Sequence, residues 1–166
     1  MAKDERLLEF VSAHALQTIA DTDLQVAFDI PTSETELLAF LIHRIDWEGN
    51  VPVGIAAAAI GIDGYLTTTT ATPAGLGTHV NWPSLIDCYM RMARYGTTTD
   101  DQLESDLGDQ HRIHHFDPPI LIAQRTLYLT IHTSASTVVN DVAIRLGYTL
   151  EKVSREAFIA ALVAHH

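Results

Sequence analysis

Near the C-terminal end of the sequence, Leu127, Leu129 and Ile131 alternate with Tyr128, Thr130 and His132, and Val142, Ile144, Leu146, Tyr148 and Leu150 follow in the same rhythm. Period two places successive side chains on opposite faces of an extended chain, so each stretch predicts a strand with one buried face. The pattern recurs in TIADTDLQVAFDIP, where Leu24, Val26 and Phe28 alternate with Asp23, Gln25 and Ala27 until Pro31 ends the run. In ELLAFLIHRIDWEGN, Leu41, Ile45 and Trp47 share one parity and Phe40 and Ile42 the other. A long strand is expected there, with a helix at its start as the competing element. SLIDCYMRMARYG sets Ile86, Cys88, Met90 and Met92 against Asp87, Tyr89, Arg91 and Ala93. That spacing predicts a strand in which Cys88 is a core thiol, or a short helix at Ser84 to Asp87.

The segment VPVGIAAAAIGIDGYLTTTTATP mixes helix-favouring alanines with strand-favouring Val, Ile, Tyr and Thr. Strand is expected for most of it, residues 51–60 stay open between strand and helix, and Asp63-Gly64 is a dipeptide preferred in tight hairpin turns. Pro73, Gly75, Gly77 and Pro83 mark a loop, and DDQLESDLGD, with five carboxylates and no base, reads as a solvated loop or a short acidic helix. Seven or eight extended segments without a βαβ repeat point to an all-β antiparallel sandwich or barrel. Long connections around 71–83 and 97–110 suit a single jelly-roll-like β-sandwich over 18–153. Residues 1–17 form an N-terminal arm or amphipathic helix, with Leu7, Leu8, Phe10 and Val11 as interface candidates. In 154–166, part of the same domain, Ser154 caps a helix whose apolar face is Phe158, Ile159, Leu162 and Val163, four further interface candidates.

A chain of 166 residues supports one sizeable core, and 47% hydrophobic against 19% charged residues is a folded composition. The 21 carboxylates and 10 bases leave a formal charge of −11, which argues against direct nucleic-acid binding, since such binding rests on Lys and Arg at phosphates. Cys88 is the single cysteine, so no intramolecular disulfide forms. No apolar run approaches the ~20 residues of a membrane-spanning helix. The chain is therefore not expected to be an integral membrane protein, and its opening residues are not expected to act as a signal peptide.

DQHRIHHFDPP concentrates three histidines ahead of two prolines. On a helix, His111 would share a face with His114 and His115 and grip a metal. Asp117-Pro118-Pro119 opposes a helix, because proline and the residue before it favour extended backbone. On a strand, His111, Ile113 and His115 face one way and Arg112, His114 and Phe116 the other. A metal site would then need His43, His79 or His132 from neighbouring strands, and the close-set histidine pair with a following glutamate of metal-binding cupins is absent. The expected role of His111, His114 and His115 is a pH-sensitive contact with a neighbouring molecule.

Gly-rich phosphate loops, a G-x-S-x-G elbow and an ordered calcium loop are missing too, so neither catalytic residues nor a cofactor are expected. Trp47, Trp82 and the threonine-rich strand are candidates for a carbohydrate-binding face, and His111 and His115 for a cupin-like metal enzyme.

PILIAQRTLYLTIHT and NDVAIRLGYTLEKVSREAFIAALV resemble the C-terminal part of small β-rich virion proteins of prokaryotic, including archaeal, viruses. The likeness lies in Tyr148, Lys152, Val153, Ser154, Phe158 and Ile159, and FDIPTSETELLAFLIHRIDWE is similar to the strand that opens their sheet. The resemblance covers about a third of the chain. It implies a jelly-roll capsid or capsid-associated subunit, synthesised in the host cytoplasm and located in the virion. Its partners would be copies of itself in a symmetric assembly and other virion proteins. MAKDERLLEF departs from the basic arm of shells that face a genome.

Overall fold

The computed structural model describes residues 8–19, 22–50, 59–70, 84–95, 103–107, 110–134 and 139–164. They form nine strands, β1 (Glu9–Leu16), β2 (Leu24–Asp29), β3 (Leu38–Gly49), β4 (Ala59–Thr67), β5 (Leu85–Tyr95), β6 (Leu103–Leu107), β7 (His111–Ile122), β8 (Thr126–Ser134) and β9 (Asp141–Lys152), and one helix, α1 (Arg155–Ala164). The strands make a four-stranded sheet, β1-β9-β3-β7, and a five-stranded sheet, β2-β8-β4-β5-β6. Every pairing is antiparallel, and the pairs nest: β1 with β9, β2 with β8, β3 with β7, β4 with β5. A chain folded double in this way becomes a sandwich when the ribbon wraps, bringing β9 onto β3 and β8 onto β4. This is the jelly roll expected from the sequence. β6 is an addition on the edge beyond β5.

The two parities of β3 are reconciled by a bulge. The pairing with β9 shifts between Ile42 and Arg44, so Phe40 and Ile42 before it and Ile45 and Trp47 after it all point between the sheets. An extra residue on one strand reverses the alternation beyond it. The interior joins these side chains to Val142, Ile144, Leu146 and Tyr148 of β9, and to Ile62, Leu66, Leu127, Leu129 and Ile131 of the facing sheet. Phe40 stacks on Tyr148 with ring centroids 4.1 Å apart.

Four expectations are corrected. Residues 9–16 form no helix but an edge strand: Val11, Ala13 and Ala15 pack inward and Phe10, Ser12, His14 and Leu16 outward. Asp63-Gly64 makes no hairpin turn and lies inside β4. A Cβ on Gly64 would stand 2.8 Å from Trp47 Cζ3 and 3.0 Å from Val142 Cγ1, so this glycine leaves room for an indole across the sandwich. Residues 103–107 of the acidic stretch are a strand. In β5 the inward parity is the polar one: Asp87, Tyr89 and Arg91 are buried, whereas Met90 is 52% exposed and Cys88 is half-buried.

Ser154 caps α1, its Oγ accepting from the Ala157 N–H at 3.2 Å, and its carbonyl accepts from Phe158. Side-chain caps of this kind satisfy a helix's otherwise unpaired first N–H groups. The helix lies on the outer face of the four-stranded sheet, where Phe158 and Ala161 pack with Ala39 and Ala123. No helix among the described residues is long and apolar enough to cross a membrane.

Candidate functional site

β7 places its histidines as strand alternation requires. Arg112, His114 and Phe116 turn toward β5, and His111, Ile113 and His115 turn to solvent, Ile113 with 43% of its surface exposed. Ile42 faces Ile120 and Arg44 faces His115, so the four residues from Phe116 to Pro119 stand opposite the single His43. Prolines offer no N–H to a neighbour, and β7 is an edge strand, where that loss is tolerated.

Between β3, β5 and β7 lies a polar cluster beside the apolar core. Trp47 Nε1 donates to Asp87 Oδ2 at 2.8 Å, and His114 Nδ1 lies 3.2 Å from Asp87 Oδ1. The Asp87 side chain is only 7% exposed and His114 is 41% exposed, so the imidazole connects a buried carboxylate to solvent. The His114 ring sits 4.3 Å from that of Phe116, and Trp47 stacks on Tyr89 at 5.9 Å. Arg112 donates to the Cys88 carbonyl at 3.0 Å and Arg91 to the Gly49 carbonyl at 3.1 Å. A buried carboxylate is tolerable only when its oxygens are hydrogen-bonded, and both oxygens of Asp87 have partners here. The cluster fastens β7 and β5 across the open side of the sandwich.

A second feature is a depression of about 390 Å³ on the outer face of the four-stranded sheet. Ser12 and His14 of β1, Asp46 and Glu48 of β3, His111 of β7, and Arg145 of β9 supply its polar lining, around the small side chain of Ala143. His14 Nε2 lies 3.2 Å from Asp141 Oδ2, and Arg44 forks onto Asp46, with Nη2 to Oδ2 at 2.7 Å. The Asp46 carboxylate holds the Arg44 guanidinium above its ordinary pKa, chiefly through that hydrogen bond. Arg145 lies over the Phe10 ring, 4.0 Å from its centroid.

The histidines proposed to share a metal are dispersed. His111 and His115 face outward from β7, His43 bonds Thr149 Oγ1 at 2.9 Å, and His132 sits on the other sheet beside Asp23. Among the described residues, no group of three His, Cys, Asp or Glu side chains is placed to hold a metal. Trp47, a candidate for a sugar-stacking face, is fully buried. His79, Trp82 and Leu7 lie outside the described residues.

The interface candidates divide. Phe158 is buried within the chain, Leu162 is partly buried beside it, and Val11 packs against the main core, so these three are used internally. Leu8 and Phe10 cross Gly147, where a Cβ would lie 3.3 Å and 3.1 Å from their side chains. Phe10 nevertheless remains 43% exposed, and Ile159 and Val163 are 49% and 69% exposed. Of the pH-sensitive candidates, His114 bonds within its own chain, and His111 and His115 are exposed.

Asp87, Gln17 and Asn140 escaped the sequence reading. Asn140 N–H donates to Gln17 Oε1 at 3.0 Å, and Gln17 Nε2 to Thr133 Oγ1 at 2.9 Å, a buried clamp on the end of β1. No sequence period marks a polar residue whose partner is on another strand, 27 and 40 positions away for Asp87 and over a hundred for Gln17 and Asn140. The chain matches no protein-family model and no curated protein.

Proposed function

We propose that this protein is a non-enzymatic, self-assembling structural subunit of a virus particle, a capsid or capsid-associated protein. The observation that carries the reading is the exposure of large apolar side chains on both terminal elements of a jelly roll. These are Phe10 and Leu16 on β1, and Ile159 and Val163 on α1. Isolated exposed apolar residues are ordinary, but pairs on one element, beside polar neighbours, suit a contact that is buried on assembly. Repeated use of such contacts under symmetry builds a closed shell. Its partners are copies of itself, joined by other virion proteins. Light scattering and electron microscopy of the purified full chain, over a range of salt and pH at tens of micromolar, test this. Large particles of uniform size are expected; a monomer under every condition overturns the reading.

A second reading, a carbohydrate-binding or adhesion module, is favoured by the depression around Ala143, with carboxylates, imidazoles and a guanidinium converging on one open site. Binding on a glycan array that is lost in Glu48→Ala would support it, and an array without binding would remove it.

A further inference from the structure

From the geometry of β1 we infer that this strand is an augmentation edge. It pairs antiparallel with β1 of a second copy about a two-fold axis, in the register where residue numbers sum to 26. This rests on the self-assembly reading and names one of its contacts.

The four sheet edges differ. β7 is interrupted by Pro118 and Pro119 and by four residues set against one; β6 has five residues and a register shift; β2 has six residues and ends just before Pro31. Prolines, irregular pairing and shortness are devices that keep a sheet edge from recruiting another strand. β1 has none of them. It runs eight residues in unbroken one-to-one register with β9 and contains no proline, lysine or arginine. Among the described residues, no strand neighbours its other side in the sheet order.

The side chains then choose the register. Facing residues of two paired strands must lie on the same side of the sheet, so the paired numbers must sum to an even value. A sum of 26 sets Phe10 against Leu16 of the second copy, so the two exposed apolar side chains of β1 cover each other on the outer face. Ser12 then faces His14 there, and on the inner face Val11 meets Ala15 and Ala13 meets itself. No charged pair of like sign falls in the seam. A sum of 24 instead sets the Glu9 carboxylate, which accepts from the Tyr148 hydroxyl at 2.9 Å, opposite the fully buried Ala15. A sum of 28 sets His14 against His14 and leaves Phe10 unpaired. The preferred seam would join two four-stranded sheets into one of eight strands, within the usual range for a sheet.

The test uses the full chain with Cys88→Ser as background. In it, Ala13→Cys places the new thiols opposite each other only for the sum of 26, and Ser12→Cys only for the sum of 24. Directly opposed strand positions have the Cα separation a disulfide needs. Mild oxidation at about 50 µM should convert most of the Ala13→Cys chain, and under a tenth of the Ser12→Cys chain, to covalent dimer. Leu16→Lys, at a 51% exposed position, should weaken dimerisation at least tenfold by sedimentation. Cross-linking of Ser12→Cys instead overturns the register. Outward β1 amides that stay protected from hydrogen exchange in dilute monomer would mean the chain covers its own edge, and the inference falls. If Ile159→Lys abolishes association while Leu16→Lys leaves it unchanged, the edge is refuted and the assembly reading stands. A monomer throughout refutes both.

Discussion

The two halves of β3, divided by the bulge at His43, build different interiors from one strand. Before the bulge, Phe40 and Ile42 meet Tyr148 and Ile122 in aromatic and aliphatic packing. Beyond it, Trp47 meets a hydrogen-bonded carboxylate, a tyrosine and a glycine placed to make room for it. The first half is held chiefly by volume, and removing that volume does it the most damage. The second depends on the orientation of polar atoms and on an empty space, so it is vulnerable to an added methyl group or a lost acceptor. Stability in one sandwich thus rests on two kinds of specification.

The largest effect should come from emptying the first half. Phe40→Ala removes a fully buried ring and the stack on Tyr148, and is expected to destabilise by about 3–5 kcal/mol in urea unfolding. Gly64→Ala fills the space beyond the bulge and should destabilise by about 1–3 kcal/mol, because Trp47 and Val142 must move. The comparison sharpens in a double-mutant cycle: in a Trp47→Leu background the Gly64→Ala penalty should shrink. An unchanged penalty would show that the indole is not what Gly64 accommodates.

Asp87→Leu leaves the Trp47 N–H without its acceptor, a loss of about 1–3 kcal/mol, whereas Asp87→Asn keeps an amide oxygen in reach and should lose less. Equal losses in the two variants would mean that the hydrogen bond contributes little beside the packing of the side chain.

Much of this fold was legible in the sequence because most strands are buried on one face. Leu127, Leu129 and Ile131, or Val142 through Leu150, advertise both the strand and its inward side. β3 showed its bulge as a conflict of parity, with Phe40 and Ile42 out of step with Ile45 and Trp47. β5 misled for a physical reason: alternation reveals two faces but not which is inside. Asp87 and Arg91 are drawn inward by Trp47, His114 and the Gly49 carbonyl, all from strands far away in sequence. Sandwich geometry hid β1, since Leu8 and Phe10 cover Gly147 on the outer face while Val11 enters the core, a mixed spacing that imitates a helix. The candidate site was less legible. The parity of His111 and His115 followed from Asp117-Pro118-Pro119, but Asp87 as the partner of His114 required the topology.

The smallest effect expected is at the rim of the first half and appears only in alkali. Burial, and the hydrogen bond from its hydroxyl to Glu9, raise the pKa of Tyr148 above the ordinary phenol value. Burial, reinforced by the carboxylate of Asp63, does the same for Tyr65 on the other sheet. A folded-state pKa above the unfolded one means that the unfolded chain releases its proton first. The stabilisation is therefore complete below the ordinary value of about 10 and is lost as pH rises through the folded value. Phenolate absorbance on titration should show Tyr65 and Tyr148 among the late-ionising tyrosines, and one fewer late tyrosine in Tyr148→Phe. In that variant the fall in stability above pH ~10 should be shallower, since one linked proton is gone. An identical slope in wild type and variant would show that Tyr148 ionises alike in the folded and unfolded chain, and that the Phe40 half of β3 holds its ring by stacking alone.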